Sequence, residues 1–222
     1  MIFPPISCVC CTYGRPKNLI DECVFSFLSQ DYAGEKELII VNDCNRQMYI
    51  YDHPEIKIFN INERFDSLGD KRNFSIEKSS HDILAIWDDD DIFLPHRLSF
   101  SYINMKDRSF FKPSKAFVMH DGKISGVHSN LFHSGSLFRK SIFNKVGKYG
   151  KLNCGEDYDF EVRIEKELGY YKNFDDITPQ EIFYIYRYAG SGSYHMSNFR
   201  KEDPDALNKI KLEVVIRRYS FR

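Results

Sequence analysis

The 222-residue sequence contains no run of 18 apolar residues, so no membrane-spanning helix is expected. Its first residues, MIFPPISCVCCTYGR, lack a basic stretch followed by an apolar segment and a small-residue cleavage site, so no signal peptide is expected either. Cysteine is sparse for a disulfide framework: the six are Cys8, Cys10, Cys11, Cys23, Cys44 and Cys154. No second Cys or His pair accompanies Cys8 and Cys10 at zinc spacing, and alternation along one strand face explains that pair. A reducing, cytoplasmic setting is the simpler expectation. Repeats, low-complexity tracts and clear linkers are also missing, which points to one compact domain.

Net charge is small, −1, but unevenly spread. Residues 1–107 carry −7, residues 108–155 carry +8 and residues 156–222 carry −2. The middle block has nine basic residues and one acid, Asp121, and can steer anionic partners.

The most informative segment is Asp88 to Asp91, four aspartates directly after the apolar run Ile83 to Trp87. Such a run reads as a strand buried on both faces. Four adjacent carboxylates repel one another and cannot share a dry core, so they belong where the strand leaves the sheet and a cation meets them. In open α/β sheets that place binds ligands. Hard oxygen donors suit Mg²⁺ or Mn²⁺; a solvated acidic turn is the plain alternative.

The surrounding pattern alternates strand and helix. Strands are expected at Ile6–Thr12, Glu37–Asp43, Ile56–Ile61 and Asp82–Trp87. Helices are expected over Pro16–Ser29, Asp70–Lys78 and Pro95–Met105, the last with proline in its first turn. The second half is more mixed. It suggests a hairpin at Ala116–His120 and Lys123–Val127, an extended stretch at Gly135–Arg139, and a helix at Ser141–Val146. A further helix runs from Asp157 to Leu168, a strand covers Ile182–Tyr188, and a last helix starts near Asp203-Pro204.

Taken together, VCCTYGRP (9–16), IIVND (39–43), LGDKRN (68–73), AIWDDDDIFLP (85–95), GEDYDF (155–160) and YRYAGSGSYH (186–195) resemble family 2 glycosyltransferases in order and spacing. The resemblance implies an α/β GT-A fold: a Rossmann-like nucleotide-binding sheet flanked by helices, with a smaller mixed acceptor half. It implies a donor half over 1–107, and an acceptor half carrying the catalytic base over 108–222. It also implies a nucleotide-sugar donor, a UDP-sugar above others, with Mn²⁺ or Mg²⁺ and inverting transfer to a hydroxyl. Asp88-x-Asp90 matches the family's D-x-D motif, which places Asp90 on the metal and Asp88 on ribose, a metal-bound water or the metal. The register within four acids leaves Asp89 and Asp91 as substitutes.

Glu156-Asp157 matches the family's Glu-Asp pair, with Asp157 as base and Asp159 as fallback; helix capping alone is the alternative. Thr12, Tyr13 and Arg15 match the nucleotide side. Asp43 matches a uracil or ribose ligand, or else caps or turns the chain. Lys71 and Arg72 either reach the diphosphate or pair with Asp66 and Asp70 at the surface. His195 matches a position where some relatives bring a histidine to the metal, although a lone histidine is more often structural.

Two rival classes remain. A sugar-phosphate nucleotidylyltransferase would want a glycine-rich loop after the first strand, where this chain has Gly14 alone. A non-catalytic carbohydrate-binding module would leave the paired acid sites without a purpose. The basic block fits an anionic acceptor: a glycan or lipid-phosphate, or hydroxymethylated DNA bases as in phage relatives.

Overall fold

The computed structural model describes residues 2–120, 122–129, 132–169 and 177–188. The chain opens with strand β1 (Ile6–Thr12), helix α1 (Lys17–Leu28), β2 (Lys36–Asn42), β3 (Ile56–Asn60), helix α2 (Leu68–Glu77) and β4 (Ile83–Ile86). There follow β5 (Ile92–Phe93), α3 (Arg97–Met105), β6 (Phe110–Phe111) and the hairpin β7 (Lys115–His120) and β8 (Lys123–Ser129). After that come β9 (Leu137–Arg139), α4 (Lys140–Val146), α5 (Glu156–Leu168) and β10 (Tyr184–Tyr188). The helix expected after Asp203 lies outside the described residues.

The strands form two sheets. The larger runs β3-β2-β1-β4-β9-β6, with β3, β2, β1 and β4 mutually parallel and β9 antiparallel to β4. The smaller runs β5-β10-β7-β8. Each sheet takes strands from both sides of residue 107, so the 107/108 division between donor and acceptor halves does not separate the sheets.

Alternation along the central strands explains the layering. Cys8, Cys10, Leu38, Ile40, Ile83 and Ala85 face one side and pack with Ile20, Cys23 and Phe27 of α1 and Leu98 of α3. Val9, Ile39, Val41, Leu84 and Ile86 face the other and pack with Ile76 of α2, Ile142 and Phe143 of α4, and Phe160 and Ile164 of α5. Strands covered on both faces read as unbroken apolar runs, which is why β2 and β4 were legible. Cys8 and Cys10 are therefore core side chains, and all six cysteines are free.

Helix α2 starts two residues earlier than expected, because Ser67 caps it by accepting from Asp70 N at 3.0 Å. Helix α3 starts later: Pro95 lies before its cap, His96, and not inside the first turn. No described helix is long and apolar enough to cross a membrane.

Candidate active site

The strand order reverses at β1. From β1 the chain moves outward through β2 and β3, then returns to place β4 on the other side of β1. The crevice at the carboxyl ends of β1 and β4 is the topological switch point, where open α/β sheets bind ligands. Thr12, Tyr13 and Arg15 leave β1 there, and Asp88 to Asp91 leave β4 beside them.

The four aspartates divide by partner. Asp89, Asp90 and Asp91 are buried, whereas the Asp88 side chain keeps 26% of its surface exposed. Arg15 Nε donates to both oxygens of Asp89, at 3.2 and 3.1 Å, and Arg15 Nη2 donates to Asp90 Oδ2 at 2.6 Å. Asp91 accepts from the Tyr184 hydroxyl at 2.7 Å and from the Arg187 backbone N–H at 3.1 Å. The Ser134 hydroxyl donates to Asp88. Burial, with Asp90 adjacent, pushes the Asp89 carboxyl above its ordinary range despite Arg15. Burial disfavours the Arg15 charge, but Asp89 and Asp90 more than offset it and raise its pKa.

One carboxylate oxygen from each of Asp88, Asp90 and Asp91 lies within 4.8 Å of the others. Three hard oxygen donors so grouped fit Mg²⁺ or Mn²⁺. Asp89 is outside this group and faces Arg15 instead.

The Glu-Asp pair opens α5 as expected, but it does not cap it. The cap is Gly155, in the left-handed region at φ +78°, with no side-chain cap hydrogen bond. Glu156 is buried and accepts from Arg72 Nε at 3.0 Å, while Arg72 Nη1 lies 3.7 Å from Asp88 Oδ1. Asp157 is half-buried and accepts only its neighbour's N–H, from Tyr158 at 2.7 Å, among the bonds the structure gives it. Asp159 pairs with Arg163 one turn on, at 2.9 Å.

Lys71 and Arg72 do not pair with Asp66 and Asp70 at the surface. Both are buried, because α2 packs its first turns against β1 and α5. Lys71 donates to Asp43 and to the Thr12 carbonyl, and Arg72 joins Glu156 to Asp88. Asp43 is buried at the end of β2 and also accepts from Phe65 N at 3.1 Å. Tyr13 is half-buried, with the Arg64 guanidinium 4.2 Å over its ring. Arg15, Asp88 to Asp91, Arg72 and Glu156 thus form one connected group, and Thr12, Lys71 and Asp43 a second, joined to it in sequence through Lys71-Arg72, with Tyr13 following Thr12. His195 lies outside the described residues.

Sequence reading missed several supporting groups. Arg97 is buried beneath the acids, donating to the Ile86 and Ser134 carbonyls, its guanidinium 4.3 Å from the Trp87 ring. Burial lowers its pKa to about 10. His133 Nδ1 lies 2.8 Å from Glu161 and its Nε2 2.6 Å from the Tyr149 hydroxyl, while Lys112 completes the cluster at 2.7 Å from Glu161. The one sequence signal for this cluster is spacing: Glu161 lies four residues after Asp157 on α5, hence on the same helix face.

Residues 7–100 match the model of glycosyl transferase family 2. Over that segment the chain is homologous to the family 2 glycosyltransferases. Among curated relatives it is 25% identical to an uncharacterised glycosyltransferase of Methanocaldococcus jannaschii, covering 90% of this chain and 76% of that one. It is 27% identical to the O-antigen biosynthesis glycosyltransferase WbnJ of Escherichia coli, over 69% of each. The structure resembles residues 1–349 of TarS from S. aureus in complex with UDP-GlcNAc, with a TM-score of 0.65, 16% identity and coverage of 92% of this chain and 64% of that one. It also resembles the mannosyltransferase PcManGT of Pyrobaculum calidifontis in complex with GDP-Man and Mn²⁺, with a TM-score of 0.57, 15% identity and coverage of 81% and 56%. The chain therefore has an α/β glycosyltransferase-type fold, and spans less than two thirds of these two solved chains.

Proposed function

We propose that this chain is a metal-dependent, inverting glycosyltransferase of the GT-A type, moving a sugar from a nucleotide-sugar to an acceptor hydroxyl. The carrying observation is the bridge by which Arg72 joins Asp88, in the acid cluster at the end of β4, to Glu156 beside Asp157 at the start of α5. It ties the first turn of α5, which also carries Asp157, to the metal-fitting acid group at the switch point. Asp90 and Asp88 would hold Mn²⁺ or Mg²⁺, with Asp91 fixing the turn beneath. That ion, when bound, neutralises charge on the leaving diphosphate.

Asp157 takes the acceptor proton. The acceptor oxygen bonds to the anomeric carbon as the bond to the nucleoside diphosphate breaks. Asp157 lies in the first turn of α5. Thr12, Tyr13 and Asp43 line the nucleotide side, with Lys71 holding Asp43 in place. A UDP-sugar donor is supported by the fold shared with TarS, solved with UDP-GlcNAc, although a GDP-sugar is bound in PcManGT.

We assign the acceptor to an anionic class, a glycan or lipid-phosphate, from the +8 charge of residues 108–155. Part of that charge is used internally, because Lys112, Lys145 and Lys148 pair with Glu161, Glu167 and Glu77. Lys123 and Lys151 are exposed.

The test is donor turnover over a panel of nucleotide-sugars with and without Mn²⁺, with product stereochemistry read by NMR. Turnover should need the ion, invert the anomeric centre, and drop by about 10²-fold or more in Asp90→Ala. Undiminished turnover in chelator, or retained configuration, would sink the reading.

A further inference from the structure

Arg15 sits three residues beyond β1, and its backbone is pinned. Its carbonyl accepts from the Tyr49 hydroxyl at 2.5 Å and from Gln47 Nε2 at 3.1 Å. Its side chain grips two acids: Nε bonds both oxygens of Asp89, and Nη2 bonds Asp90 Oδ2 at 2.6 Å. Asp90 is also one of the three acids whose oxygens converge for a metal. A fixed positive charge therefore already neutralises one ligand of that group. A divalent ion arriving alone must compete with this guanidinium for Asp90 and suffer its repulsion at short range. A diphosphate reverses the balance, because its oxygens can bond the ion and the guanidinium together.

We propose that Arg15 is a resident counter-cation of the metal site. It holds Asp90 in the free chain and yields it when ion and nucleoside diphosphate bind together. It stays anchored on Asp89, with Nη2 released toward the diphosphate. The second aspartate of the run then acts as the anchor of Arg15 and not as a metal ligand. The exchange needs only a side-chain rotation, since the backbone of residue 15 is held. Ion and diphosphate must in consequence bind cooperatively, each raising the affinity for the other by the same factor.

The diphosphate half of this inference rests on the glycosyltransferase reading; the effect of Arg15 on the ion alone does not. The experiment measures Mn²⁺ binding by EPR, with and without UDP, in the unmodified chain and in Arg15→Gln and Arg15→Lys. In the unmodified chain UDP should strengthen Mn²⁺ binding by about 10-fold or more. Arg15→Gln should bind Mn²⁺ alone roughly 5-fold or more tighter and lose most of the UDP coupling, whereas Arg15→Lys keeps weak binding. Should Arg15→Gln fail to fold by circular dichroism, the double variant Arg15→Gln/Asp89→Asn removes both partners and makes the same comparison. Mn²⁺ affinity in the glutamine variants no higher than in the unmodified chain overturns the proposal. Failure of the functional reading looks different: the unmodified chain binds no UDP with or without Mn²⁺, while the Mn²⁺-alone comparison still decides the role of Arg15.

Discussion

Arg72 donates its Nε–H to Glu156 at 3.0 Å, so the helix carrying the proposed base is tied to α2. The same guanidinium, with both neighbours, is held above its ordinary pKa although burial opposes its charge. Arg72→Gln should strand Glu156 as a buried, uncompensated carboxylate. We expect a stability loss of roughly 3–5 kcal/mol, read by urea unfolding. Arg72→Lys keeps the charge but not the planar fork, and should recover only part of that loss. Unchanged unfolding in both variants would mean that the bridge contributes nothing.

The proposed base can be separated from the donor site. Asp157→Asn preserves size but cannot accept a proton, and it breaks no ion pair that the structure gives Asp157. Transfer should fall by roughly 10²–10⁴ while UDP affinity stays within a few-fold. Near-normal transfer would move the role to Asp159, which would first have to leave Arg163.

Acid should weaken the chain through Glu161. Burial alone would raise this carboxyl, but His133 and Lys112 lower it to about 2 from an ordinary 4.5. A depressed carboxyl contributes stability that is present above its unfolded pKa and lost as pH falls through the folded value. The loss therefore spans pH 4.5 down to about 2, and a shift of this size is worth on the order of 3 kcal/mol. Glu161→Gln should unfold more easily at neutral pH and show a shallower loss across that window. A slope identical to that of the unmodified chain would assign acid sensitivity elsewhere.

Gly69 lies in the first turn of α2, where its N–H donates to the Leu152 carbonyl at 3.1 Å. A Cβ there would stand 1.8 Å from the Gly150 carbonyl oxygen, so backbone would have to move. Gly69→Ala should cost about 2 kcal/mol or more. It should also reduce transfer, because the 150–152 segment leads into α5. A thermal midpoint within a degree of the unmodified chain would show that this loop yields freely.

Much of this protein is written locally. Strands β1, β2 and β4 are buried on both faces, so their apolar runs are unbroken; α1 shows its stripe at a spacing of four. Mutual repulsion puts Asp88 to Asp91 at a strand end, and Gly155 followed by three acids marks the start of α5. What only the tertiary structure decided is which charge meets which. Arg15 and Asp89 are 74 residues apart, and Arg72 and Glu156 are 84 apart. No local period encodes such pairs; they exist because the switch in strand order sets β1, β4 and α2 side by side. Strands β5 and β6, two residues each, are too short to show a period and form because neighbouring strands need partners for their backbone groups. Lys71 and Arg72 illustrate the division most simply. Their place at the start of a helix was legible, with the diphosphate or the surface acids Asp66 and Asp70 as expected partners; burial of that helix against β1 and α5 instead made them internal partners of Asp43, Asp88 and Glu156.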